Sequence, residues 1–281
     1  MRGRAGPLGS PAVTDLPVDP QSIYAGLGVT LRVGADGRLT GRLAPSTGLC
    51  DRGVVPAYAL VFLADVTAGV SIDTDPEAWA FTTEVSVRAP LTPGPVEVVC
   101  EPRTLRDGRR SSACDAPFSV DDRPWGHCFI GFSRVPRRPD DPVKREFDPA
   151  TRTMDGPLLE EPLRTAAGFR SVDRAAGVVV ADLRPALLNP AGAMQGAMVA
   201  GLAETAGEDF ADHHHLVGAG RHVVTDIEVR YLAQNRVSPI ATRAWSVGPP
   251  AEGLVRVDLV DDDGRGRLTT SALLKVAPAP T

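Results

Sequence analysis

The chain has no excess of positive charge. Its 281 residues carry 35 acidic against 30 basic side chains, a net charge of −5. A nucleic-acid surface needs a basic footprint, so that class of partner is not expected. Lysine is almost missing, with Lys144 and Lys275 its two occurrences. Arginine takes the other basic positions, which reads as genome composition and not as function. Cysteine is scarce as well. Cys50, Cys100, Cys114 and Cys128 lack close metal-ligand spacing, and a chain of this length needs no disulfide staples. The first residues lack the apolar core of a signal peptide. These lacks together predict a reduced, cytoplasmic protein. The apolar run 54–72 carries Pro56 near its start and Asp65 in its middle, so no membrane span is expected. No glycine loop of the nucleotide-binding kind is present, and no cofactor is expected.

What the chain does contain is one helix, twice. The stretch from Asn189 to Gly207 is built of small apolar residues around a single acid, Glu204. An upstream copy, from Gly53 to Gly69, carries Asp65 at the same place. The spacing predicts helices over about 54–72 and 193–211. A carboxylate in an apolar helix is costly to bury, and two in register suggest a position kept for chemistry or for a paired polar site.

The flanking order repeats too. The pairs Gly28/Gly168, Pro45/Pro185, Asp65/Glu204 and Arg88/Arg230 fall at offsets of 139 to 142 residues, in the same order. That is an internal duplication. Alternating segments predict strands over 29–33, 38–43, 80–88, 96–105, 111–120 and 125–135 in the first half. The domains follow: a flexible arm over 1–20, a first domain over 21–136, a proline-rich linker over 137–163, and a second domain over 164–281. A helix apolar all round has no face for water, so an antiparallel sheet must curl around it. The class is α+β, and the two sheets can join edge to edge.

At the second helix, Asn189, Gly192, Gln195, Gly196, Leu202, Ala203, Glu204, Thr205, Ala206 and Gly207 resemble a pattern of the hotdog thioesterases, in particular the phenylacetate-pathway (PaaI-like) group. The first copy is more eroded, with Gly53, Pro56, Ala57, Leu63, Ala64 and Asp65. The strand Val224 to Tyr231 looks like the family's strand after the helix. The resemblance covers roughly 21–136 and 160–278, and it implies a tandem double hotdog. Where the family has His before its glycine, neither copy does.

The resemblance also implies a function. It points to hydrolysis of an acyl-CoA or acyl-carrier thioester at the junction of the halves, with no metal. In that family one unit supplies the helix start and the other the acid. Carried over, Asn189, Gln195 and Gly196 face Asp65 as base or nucleophile. The Gly196 amide polarises the carbonyl, as a helix start with its free N–H groups can. Thr83 holds the water or the acid. A second site would join Glu204 to Ala57 and Thr225; it is degenerate, since Pro56 removes a donor. Tyr58, Phe62 and Met198 are candidates for lining an acyl tunnel. Two such chains pairing as a homodimer is a further expectation.

Other readings stay beside this one. Without the histidines, the chain could bind an acyl thioester or apolar ligand and not turn it over. Asp122 and His127 have the spacing of the hotdog hydratases, but sit at a turn between strands. His213, His214 and His215 read as a solvated loop after a helix and not as a metal site. The acidic run from Asp261 to Gly264 reads as a hairpin turn and not as a calcium site.

Overall fold

The computed structural model describes residues 23–50, 52–139, 141, 144, 158–261 and 266–280. The arm over 1–20, most of the linker, and positions 262–265 of the acidic turn lie outside the described residues.

The first half opens with β1 (Val29–Val33) and β2 (Leu39–Leu43), then α1 (Ala57–Ile72) and β3 (Ala78–Arg88). It continues with β4 (Val98–Cys100), β5 (Arg103–Asp107), β6 (Ser111–Val120) and β7 (Arg123–Pro136). The second half repeats the order. A short helix, α2 (Leu163–Ala166), leads into β8 (Arg170–Asp173) and β9 (Val178–Ala181). Then come α3 (Gly196–His214), β10 (His222–Tyr231), β11 (Ile240–Ser246), β12 (Leu254–Asp261) and β13 (Arg267–Pro278).

Helix α1 starts later than its apolar run predicts. Pro56 is extended, at φ −72° and ψ 149°, and stands as the cap residue, with the helix beginning after it. The expected strand over 96–105 is two strands. Pro102 cannot donate to a ladder, so β4 ends before it and β5 leaves the main path to pair with β6 alone.

Among the described residues, the strands form one sheet of order β1-β2-β4-β6-β7-β3-β10-β13-β12-β11-β9-β8. The order is the same read from either end once each strand is replaced by its counterpart. The two halves meet at β3 and β10, which pair antiparallel from Arg88 opposite Asp226 to Glu84 opposite Arg230. This seam gives each half a neighbour on the edge it would otherwise expose.

Both helices lie on one face of this sheet and pack against each other. Residues 57–64 of α1 are all buried, as a helix enclosed by sheet and partner helix requires. Close approach of the helices rests on Gly201, where a side-chain carbon would meet Tyr58 at 3.4 Å and Leu163 at 2.6 Å. A buried ion cluster adds a tie between halves. Arg52 pairs with Glu208 at 2.8 Å and Asp212 at 3.0 Å, and donates to the His222 carbonyl at 2.6 Å. Among the described residues, no helix is long and apolar enough to cross a membrane.

Candidate functional site

The helix packing brings each acid to the first turn of the other helix. Asp65 lies two turns into α1, facing the start of α3. Its carboxylate is half-buried and held from two sides. Gln195 donates from Nε2 to Oδ2 at 3.1 Å, across the junction of the halves. Thr82, on β3 of the same half, donates its hydroxyl to Oδ1.

Gln195 has a second task. It is the cap of α3, and its Oε1 accepts from the backbone N–H of Ala197 at 2.5 Å and of Met198 at 3.4 Å. Its one amide group therefore spans the acid and the helix start. The Gly196 N–H is left as the first-turn donor without a protein acceptor among the described residues. Gly196 stands beside the acid: a side-chain carbon there would lie 3.8 Å from Asp65 Oδ2. Burial pushes the Asp65 carboxyl up to about 6, against the Thr82 and Gln195 hydrogen bonds, which pull it down. An acid with that value changes charge near neutral pH, as a general base must.

Some expected residues are elsewhere. Thr83 does not reach the acid. A β-bulge between Thr82 and Glu84 places it on the exposed side, and its neighbour Thr82 makes the contact. Asn189 does not touch Asp65 either. Its side-chain carbonyl accepts from the N–H of Ala191 at 3.0 Å and of Ala193 at 3.1 Å, closing the loop that leads into α3. Phe62 and Met198 are sealed in the core, and Tyr58 is nearly so. Tyr231 was not expected in the site. Its hydroxyl donates to the Gly196 carbonyl at 3.0 Å. The alternation of Ile227, Val229 and Tyr231 along β10 is the sequence signal for it, since it puts all three on the helix-facing side.

The matching end is closed. Glu204 is buried, and its two oxygens accept from the first two N–H groups of α1, Ala57 at 3.0 Å and Tyr58 at 2.7 Å. Thr225 is the bulged residue of β10 and bonds Asp226 at 2.8 Å and the Lys275 carbonyl at 3.3 Å. Val224, the counterpart of Thr82, has no hydroxyl to offer.

The other motifs are accounted for locally. His127 lies on the outer face of the sheet, because its neighbours Cys128 and Ile130 point inward. Its ring meets Asp115, and Asp122 sits in the preceding turn at φ 58°. His214 bonds the Ala175 carbonyl at 2.8 Å, and the rings of His213 and His214 pack on each other. Among the described residues, no group of three His, Cys, Asp or Glu is placed to hold a metal ion.

No family model matches the chain, and no curated protein matches it in sequence. Solved structures do match. The TesB protein of Mycobacterium avium subspecies paratuberculosis superposes with a TM-score of 0.60 at 16% identity, covering 92% of this chain and 98% of that one. An acyl-ACP thioesterase from Bacteroides thetaiotaomicron gives 0.57 at 10% identity, over 85% of this chain and 97% of that one. The 12:0-ACP thioesterase of Umbellularia californica gives 0.56 at 11%, over 89% and 97%. The fold is a double hotdog. At these identities the likeness is one of architecture, and it shows no particular subgroup of hotdog thioesterases. In this double hotdog the two helix starts differ: at α3 Gln195 stands between Asp65 and the amides, and at α1 Glu204 accepts from the amides itself.

Proposed function

We propose that the chain is an acyl thioesterase acting on an acyl-CoA or acyl-carrier thioester at the Asp65 end of the junction. The observation that carries this is the bridge from Asp65 of one half through Gln195 to the α3 start of the other. It puts a base of raised pKa beside a backbone donor, which are the two parts that thioester hydrolysis needs. The matched acyl-ACP thioesterases and TesB protein support the same reaction class.

In this reading the Gly196 N–H takes the thioester oxygen as it becomes an oxyanion. Asp65 takes a proton from water. Thr82 and Gln195 hold the carboxylate in place, and by stabilising its charged form they keep it ionised near neutrality. Asn189 shapes the loop. The Glu204 end binds no substrate, because its helix start is already occupied.

The test is a panel of acyl-CoA and acyl-carrier thioesters with a free-thiol readout. The wild type is expected to turn over at least one of them, and Asp65→Asn to lose about 10²- to 10⁴-fold in kcat. If both proteins are stabilised by the thioester and neither turns it over, the chain is a binding protein instead. Hydratase chemistry through His127 is not supported by its place on the outer face of the sheet.

A further inference from the structure

The space beside Gly196 is bounded by two side chains, Tyr231 and Asp65. A side-chain carbon on this glycine would lie 3.4 Å from the Tyr231 hydroxyl oxygen, 3.6 Å from Tyr231 Cζ and 3.8 Å from Asp65 Oδ2. The phenol and the carboxylate thus converge on one notch, the place a side chain at residue 196 would take. The Tyr231 hydrogen is already committed to the Gly196 carbonyl at 3.0 Å. What its oxygen has left is lone pairs. Each Asp65 oxygen accepts one hydrogen bond, from Thr82 or Gln195, and keeps capacity for another. The notch therefore offers two acceptors, and the molecule that matches two acceptors so close together is water, with its two hydrogens.

We infer that this notch seats the hydrolytic water, with Asp65 accepting one of its hydrogens and Tyr231 the other. The inference rests on the thioesterase reading and adds to it a residue and a position. Burial and the charge of Asp65 keep the phenol protonated, so Tyr231 acts as a fixed neutral acceptor and not as a second base. With both water hydrogens held, a lone pair of its oxygen is presented to a thioester carbonyl resting on the Gly196 N–H.

The step balances. The water oxygen bonds to the carbonyl carbon while one water proton passes to Asp65 Oδ2. The carbonyl π pair moves onto its oxygen and is held by the Gly196 N–H. When that pair returns, the carbon–sulfur bond breaks and the thiolate takes the proton back from Asp65. A carboxylic acid and a thiol leave, and the enzyme is as it began.

Methanol provides the test, because it has a single hydroxyl hydrogen. It can give that hydrogen to Asp65 and has none for Tyr231. In a hydrolysis assay containing methanol, Tyr231→Phe is expected to lose about ten-fold in acid formation and to keep its methyl-ester formation, at little change in KM. The ester-to-acid ratio then rises about ten-fold. A purely structural role would lower both products together, so an unchanged ratio overturns the assignment. If methanol enters neither protein, kcat decides: a ten-fold loss at unchanged KM supports the assignment and an unchanged kcat overturns it. Gly196→Ala fills the notch at ordinary contact distances, so it is expected to keep the wild-type melting temperature and to lose both products. Retention of hydrolysis by Gly196→Ala also overturns the inference. A wild type inactive on every thioester removes the hydrolase reading itself; an active wild type with an indifferent Tyr231 removes this inference alone.

Discussion

The two helix starts are built alike and solve the same electrostatic problem in opposite ways. Each leaves unsatisfied N–H groups pointing at an acid on the other helix. At α1, Pro56 offers no side-chain cap, and Glu204 reaches the Ala57 and Tyr58 amides itself. At α3, Gln195 caps the helix, and Asp65, one methylene shorter, is held off the amides by the Gln195 amide group. Where the acid is the cap, the site is full. Where a neutral amide is the cap, the acid stays available and carries the cost of its desolvation. The difference between a structural carboxylate and a catalytic candidate here is one methylene and one capping residue.

The contrast breaks most visibly at Glu204. Glu204→Ala strips two buried amides of their acceptor, and each lost partner costs about 1–3 kcal/mol. The expected loss is roughly 2–5 kcal/mol in urea unfolding, with turnover at the Asp65 end kept. If stability is unchanged, Glu204 is no cap and the comparison fails.

Asp65 should show the opposite sign. Its folded pKa of about 6 lies above the ordinary aspartate value of 3.8, so the fold binds this proton more tightly than the unfolded chain does. The ionised form is therefore the destabilising one, and its cost is fully present above pH about 6. As pH falls through 6 toward 4, that cost disappears. Asp65→Asn is expected to be more stable than wild type by about 1–3 kcal/mol at pH 8, given about 1.4 kcal/mol per pH unit. The gap should close by pH 4. A constant gap would mean that the carboxyl is not desolvated. A stabilised, inactive variant is the usual mark of a group kept for function at a cost in stability.

Much of this is legible in the sequence. Two apolar stretches with one acid each forced a sheet around each helix, and the eroded copy pointed to unequal ends. Pairing Asp65 with Gln195 and Gly196 followed from the resemblance, not from composition. What the chain could not display was anything set by local geometry. A bulge shifts strand parity by one residue, so Thr83 looked inward on paper while Thr82 faces in. Tyr231 looked like one more alternating strand residue, because a hydroxyl at its tip has no periodicity. Asn189 has the residue type of a site group, yet its carbonyl is spent on the loop. Spacing places Glu204 in a degenerate second site, but its reach to the two α1 amides across the helix junction cannot be read from spacing.

The smallest effect is also the sharpest test of the bulge. The Thr82 hydroxyl stabilises the ionised Asp65, so removing it should raise the pKa above its present value near 6. Thr82→Val keeps the β-branched shape that suits β3 and deletes only the donor. The acid limb of the pH–rate profile is expected to move up by as much as about one unit, equivalent to about 1.4 kcal/mol. Activity at pH 8 should then change little, and activity at pH 6 should fall several-fold. Thr83→Val, one residue along and on the exposed side, should leave the limb where it is. The matched position in the other half is already Val224, so Val224→Thr gives a third arm: with Glu204 held by two helix amides, a new hydroxyl there should not move the limb either. If Thr83 and not Thr82 shifts the profile, the bulge is misplaced and the two ends are less different than their geometry states.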